Sequence, residues 1–249
     1  MLAIIGGTGL TRMPGVEWLA ERSAMTSLGE ASAPVLEAQL EGQRVLFLAR
    51  HGHPHKVPPH KINYRANLLA LQAAGASRIL AVNAVGGIDP ALVPGTLVVP
   101  DQMIDYSHGR EATFFDGCYL PLKHIDFTSP YSEFMRQQLL QAGESEGMAL
   151  VQQGVYATTQ GPRLETAAEV RRLAQDGCTL VGMTGMPEAA LARELELPYA
   201  CLSLVVNPAA GLVAGEITLA GMEAVLEQGI GRVMQLLKAV VRRQAEPMI

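Results

Sequence analysis

Chemistry in this chain concentrates in short segments that join glycines to donors or titratable groups. Gly6-Gly7-Thr8-Gly9 follows the apolar run Ala3–Ile5. Glycines let the backbone turn so that successive N–H groups face one anion, and Thr8 adds a hydroxyl. A plain tight turn would carry the same residues. A dinucleotide fingerprint needs Gly-x-Gly-x-x-Gly, and Arg12 stands where its third glycine belongs. Arg50-His51-Gly52-His53 follows Arg44–Ala49, and arginine stays charged while its planar fork matches phosphate oxygens. Thr184, just ahead of the helix start Met186-Pro187-Glu188, offers a hydroxyl where a helix dipole favours an anion; an ordinary N-cap is the alternative. Donors converging from several segments predict a phosphate seat.

His51, His53, His55 and His60 crowd ten residues and raise zinc as a competing reading. No cysteine, H-E-x-x-H helix or acidic ligand cluster accompanies them, and Pro54, Pro58 and Pro59 make the stretch an irregular loop. The expectation is no metal.

Something must hold these segments in place. β-rich runs recur at Ala3–Ile5, Val35–Leu40, Arg44–Ala49, Ile79–Val82, Thr96–Val99, Gly154–Ala157, Thr179–Gly182 and Tyr199–Val206. Helical patterns lie at Tyr64–Ala74, Tyr131–Gly147, Thr166–Asp176, Pro187–Leu195 and Leu219–Arg243. Strands alternating with helices predict an α/β layered fold with a mostly parallel sheet. In such sheets ligands sit beyond the carboxyl ends of strands, which makes Asn83-Ala84-Val85-Gly86-Gly87, after Ile79–Val82, a further candidate. With 249 residues and no repeat or charge-rich linker, one domain is expected.

Composition narrows the function classes. Nineteen Lys and Arg against 24 Asp and Glu give a formal charge of −5, so the basic footprint of nucleic-acid binding is missing. Cys118, Cys178 and Cys201 form no C-x-x-C pair, which suits a reduced cytoplasm better than a disulfide framework. Leu2-Ala3-Ile4-Ile5 carries no basic leader, and Pro198, Asn207 and Pro208 break the most apolar stretch. Neither a signal peptide nor a membrane span is expected.

Six segments taken together carry a resemblance. They are Gly6-Gly7-Thr8-Gly9, Arg50-His51-Gly52, Asn63-Tyr64-Arg65-Ala66-Asn67, Asn83-Ala84-Val85-Gly86-Gly87, Gly161-Pro162-Arg163-Leu164-Glu165-Thr166 and Met183-Thr184-Gly185-Met186-Pro187-Glu188. In order and spacing the chain resembles the trimeric purine nucleoside phosphorylase and methylthioadenosine phosphorylase family. The resemblance implies a single-domain, three-layer α/β fold with a mixed, mostly parallel sheet flanked by helices. It implies phosphate held by Thr8, Arg50, His51, the backbone of Ala84, and Thr184. Met183 would lie against the ribose and Leu164 near the base, where the family's usual phenylalanine is replaced. His124 would reach the 5′ end of a neighbour's ligand in a homotrimer. No cofactor is implied, inorganic phosphate being a co-substrate.

The hydrogen-bond inventory selects the base. An ionised Glu165 can only accept, which suits the N1–H of a 6-oxopurine and faces the lone pair of adenine unfavourably. Its alternative is a solvent-facing residue in a first helical turn, Glu165-Thr166-Ala167-Ala168. The 6-aminopurine branch of the family resembles an acidic version of this chain, with aspartates matching Asn207 and Ala209. An asparagine there can donate to O6 and accept from a protonated N7. The inosine and guanosine enzymes of the family place a histidine after this segment to bind the 5′-hydroxyl. Here the last histidine is His124, and Ile217-Thr218-Leu219-Ala220-Gly221-Met222, with Leu219 at its centre, is mainly apolar. Apolar burial favours a methylthio group over an unpartnered hydroxyl. The expected substrate is 5′-methylthioinosine. Asn207 would stabilise the leaving base and His51 or Arg50 would hold the nucleophile. Inosine/guanosine phosphorylase, methylthioadenosine phosphorylase and a non-catalytic nucleotide-binding module on the same fold are the alternatives.

Overall fold

A computed structural model describes residues 1–7 and 15–243. The strands are β1 (Leu2–Gly6), β2 (Glu17–Arg22), β3 (Met25–Thr26), β4 (Gly29–Glu30), β5 (Val35–Leu40), β6 (Gln43–Ala49), β7 (Arg78–Gly87), β8 (Leu97–Val98), β9 (Gln102–Asp105), β10 (Val155–Thr158), β11 (Leu180–Gly182) and β12 (Tyr199–Pro208). The helices are α1 (Tyr64–Ala73), α2 (Glu133–Ser145), α3 (Ala167–Gln175), α4 (Gly185–Glu194) and α5 (Leu219–Arg243).

All strands but the β3–β4 hairpin join one mixed sheet, ordered β2-β5-β6-β1-β7-β11-β10-β9, with β12 against β7 and β8 against β12. β1 runs parallel to β6 and β7, β12 to β7, and β10 to β9 and β11. The fully buried β1 has the all-apolar character of a strand covered on both faces. Its side chains alternate: Leu2 and Ile4 enter a core with Leu139, Val233, Leu237 and Val240 of α2 and α5. Ala3 and Ile5 enter another with Leu68, Leu71, Ala189 and Leu191 of α1 and α4. These three layers agree with the expected fold.

Three differences from the sequence reading are physical. β2 is exposed at all six positions and β9 has only two apolar residues, so neither gives a burial signal. β7 does not end at Val82 but continues to Gly87. Finally, α3 begins at Ala167 with Thr166 as N-cap in a capping box with Glu169. Glu165 therefore precedes the helix and is not part of its first turn.

Candidate active site

Sheet topology opens the site. β1 pairs with the lower half of β7, Arg78–Ala81, and β11 comes back antiparallel against Gly86 and Gly87. Among the described residues no strand pairs that edge of β7 from Val82 to Val85. The gap lies where the neighbour of β7 switches, and a cavity of about 740 Å³ forms there. The expectation that the site lies beyond the end of this strand is corrected: Asn83–Gly86 line it from within β7.

The parallel ends of β1 and β6 bring Gly7 and Arg50 together, with Arg50 N donating to Gly6 O at 2.9 Å. The antiparallel return of β11 delivers Met183 and Thr184 beside Ala84. Arg50, His51, Ala84 and Thr184 all line the cavity, as do Met183, Leu164, Glu165, Asn207, Ala209 and Leu219. Thr8 lies outside the described residues. His124 is exposed on the loop between β9 and α2 and does not line the cavity. Its expected role needs a second copy of the chain.

Arg50 behaves differently from the expected fork on phosphate. It is 2% exposed, and its fork closes on Glu188, itself 0% exposed. Nε donates to Glu188 Oε2 at 2.6 Å and Nη2 to Oε1 at 2.8 Å. Nη1 reaches Val82 O at 3.1 Å and Nη2 Asn83 Oδ1 at 3.2 Å. Four of five N–H groups are thus committed, and one on Nη1 is left for a ligand. Burial alone would favour a neutral guanidinium, but the charge and hydrogen bonds of Glu188 outweigh it and raise the Arg50 pKa.

His51 Nδ1 lies 2.9 Å from Val57 O. A carbonyl only accepts, so Nδ1 carries the proton and the neutral ring leaves Nε2 as an acceptor. Burial, then the Arg50 charge, lowers its pKa to about 4 from 6.5. A neutral His51 can accept a hydrogen bond at Nε2 but carries no charge to neutralise an anion. The unfolded chain takes up this proton near pH 6.5 and the folded chain only near 4, so stability falls with pH between them. The expected loss from pH 7 to 5 is on the order of 2 kcal/mol. Urea midpoints of the wild type and His51→Gln at the two pH values measure it; equal acid sensitivity would count against a neutral His51.

Thr184 occupies the N-cap position of α4 without a side-chain cap bond, so its hydroxyl is not consumed as a cap. Met186 is extended (φ −117°, ψ 142°), and regular helix starts at Pro187, as expected.

Beside Glu165, Thr159, which the sequence reading missed, donates to Oε1 at 2.5 Å. One carboxylate oxygen is held while the other has no hydrogen-bond partner among the described residues. Asn207 is aimed by a bulge in β12: the register against β7 slips between Val205 and Asn207, leaving Val206 as the extra residue. Its Nδ2 donates to Pro208 O at 2.7 Å. Gly86 keeps the floor open, since a Cβ there would sit 3.4 Å from Asn207 Nδ2 and 3.2 Å from Val181 Cγ1. Leu219, Met222 and Leu226 of α5 add a mainly apolar wall, in which Glu223 is the one charged residue among those described. Among the described residues no three His, Cys, Asp or Glu side chains are grouped to hold a metal, and no helix is long and apolar enough to cross a membrane.

The phosphorylase superfamily model matches residues 1–242. The chain belongs to the phosphorylase superfamily. Within that superfamily it is 55% identical to a probable S-methyl-5′-thioinosine phosphorylase of Pseudomonas syringae pv. tomato, over 96% of this chain and 97% of that one. It is 40% identical to the 6-oxopurine nucleoside phosphorylase of Pyrococcus furiosus, covering 96% and 91%. The structure matches methylthioadenosine phosphorylase from Schistosoma mansoni in complex with adenine, with TM-score 0.92, 30% identity and coverage of 99% and 92%.

Proposed function

We propose that this phosphorylase cleaves 5′-methylthioinosine with inorganic phosphate, giving hypoxanthine and 5-methylthioribose 1-phosphate. One observation carries the reading: a single cavity joins Glu165 and Asn207, an acceptor and an amide, to the apolar wall of Leu219, Met222 and Leu226. The relative from Pseudomonas syringae named for methylthioinosine supports the same assignment. Phosphate would sit by the open edge of β7, with Ala84 N–H, Thr184, the remaining N–H of Arg50 and neutral His51 around it. Met183 would hold the ribose and Leu164 and Ala209 would flank the base.

The mechanism needs no cofactor. Phosphate attacks C1′ as the ribosyl group gains oxocarbenium character, and holding the reactants in line supplies much of the rate. Charge builds on the departing purine, where Asn207 donates to O6 and Glu165 accepts from N1–H. A homotrimer in which His124 completes a neighbour's 5′ pocket is part of the proposal.

Side-by-side initial rates test it. kcat/KM for methylthioinosine is expected to exceed that for inosine and for methylthioadenosine by about tenfold or more, as an unpaired polar group or mismatched edge demands, and product formation must require phosphate. Preference for methylthioadenosine would reject the base assignment, and preference for inosine the 5′ assignment.

A further inference from the structure

Arg110, on the loop after β9, faces six acceptors on the segments behind the cavity, of which Met183 also lines it. Nη1 reaches Met183 O at 2.9 Å and Met186 O at 2.6 Å, behind the ribose wall. Nη2 reaches Thr159 O at 3.1 Å and Gln160 O at 2.9 Å, and Nε reaches Gln160 Oε1 at 3.1 Å. Nη1 also lies 3.3 Å from Tyr64 OH, which in turn donates to Pro59 O at 3.0 Å. Guanidinium has five N–H groups, so the side chain is saturated. None is left for phosphate.

The acceptors belong to segments that the sheet joins only at their strand ends, where Thr158 pairs with Gly182 and Thr159 N donates to Gly182 O at 2.8 Å. Thr159 carries the hydroxyl that holds Glu165, and Met183 itself lines the cavity. The two loops also touch: a Cβ on Gly161 would lie 2.4 Å from Met183 Sδ. One planar group therefore extends that join past the strand ends, linking Thr159 and Gln160 to Met183 and Met186. Arg110 makes no ion pair among the described residues, so its bonding is spent on backbone and neutral groups. A lysine could keep the charge but not a fork of five fixed donors.

Resting on the proposed reading of the cavity as a nucleoside site, we infer that Arg110 is a positioning residue for the nucleoside half of the site and not for phosphate. The test compares wild type, Arg110→Gln and Arg110→Lys on whichever purine nucleoside the wild type cleaves fastest. An error in the 5′ or base assignment thus leaves the comparison intact. kcat/KM for the nucleoside is expected to fall about 100-fold in Arg110→Gln, the scale of a misplacement near 1 Å, with the KM for phosphate within about threefold of wild type. Arg110→Lys, which keeps the charge and carries the test should the glutamine variant fail to fold, is expected to lose at least about tenfold. A phosphate KM that rises in step with the nucleoside loss, or a lysine variant near wild type, overturns the inference. A wild-type chain that cleaves no purine nucleoside overturns both this inference and the function it rests on.

Discussion

Glu165→Ala is expected to lower kcat/KM for methylthioinosine by about 10²–10³, the scale of removing one group that stabilises developing charge, while the KM for phosphate stays close to wild type. The argument runs through Thr159. Its hydroxyl fixes Glu165 Oε1 at 2.5 Å, so the second oxygen is pre-positioned for the base that the proposed function assigns to it. Removing the carboxylate strands the N1–H of a 6-oxopurine in a half-buried cavity, but removes nothing that adenine wants. Methylthioadenosine cleavage is accordingly expected to change by less than about tenfold, which turns a rate loss into a specificity change. Glu165→Gln is the informative companion. Its carbonyl can still accept from N1–H while its amide donates to Thr159 Oγ1, which then turns its proton to Gly182 O, 3.3 Å away. The glutamine variant should therefore retain more 6-oxopurine activity than the alanine variant, the difference reporting charge against hydrogen bonding. Asn207→Asp acts on the other edge and should shift preference the same way. Equal losses on 6-oxo- and 6-aminopurines across these variants would remove the basis of the base assignment.

How far the sequence announced this site follows from what each residue does. Gly6-Gly7, Arg50-His51 and Met183-Thr184 each end a strand with a clear burial signal, so their convergence was legible. The antiparallel return of β11 onto β7 was not, because three residues, Leu180–Gly182, carry no direction in their pattern. With that turn hidden, β7 was read as ending at Val82, although its pairing with β12 continues to Gly87. Glu165 was legible by chemistry and misread by element, because Thr-Ala-Ala-Glu after it is a capping box and the helix starts two residues later. Thr159 and Arg110 left no local signal at all. Their importance lies in bonds to carbonyls and to one carboxylate oxygen from distant segments, and backbone acceptors are invisible in side-chain patterns. Arg50 shows the opposite failure. It lines the cavity, but arginine's fork fits a carboxylate as well as a phosphate, and only packing reveals that Glu188 takes it.

That pair yields the largest expected effect on stability. Glu188→Ala is expected to destabilise the fold by about 3–5 kcal/mol, the cost of leaving a buried charge uncompensated. For a chain of this length that corresponds to a fall in Tm of roughly 6–20 °C, measurable by calorimetry. The loss should exceed that of a same-sized surface truncation, because Arg50 is buried and protonated and Tyr199 OH, which donates to Glu188 Oε1 at 2.9 Å, is stranded too. Stability alone does not explain why the pair is there. Well-packed apolar residues of similar volume commonly equal or surpass a buried ion pair, so Arg50→Met combined with Glu188→Leu is expected to recover most of the lost Tm. The same double variant should have no measurable phosphorolysis. It discards the uncommitted Nη1 proton that the proposed function gives to phosphate, and the donors that bond Val82 O and Asn83 Oδ1 at the open edge of β7. If the double variant melts as low as Glu188→Ala, the pair is a structural requirement and its link to phosphate fails. If it melts near wild type yet is inactive, an ion pair that folding does not require is retained because one remaining N–H, aimed by Glu188, serves the reaction.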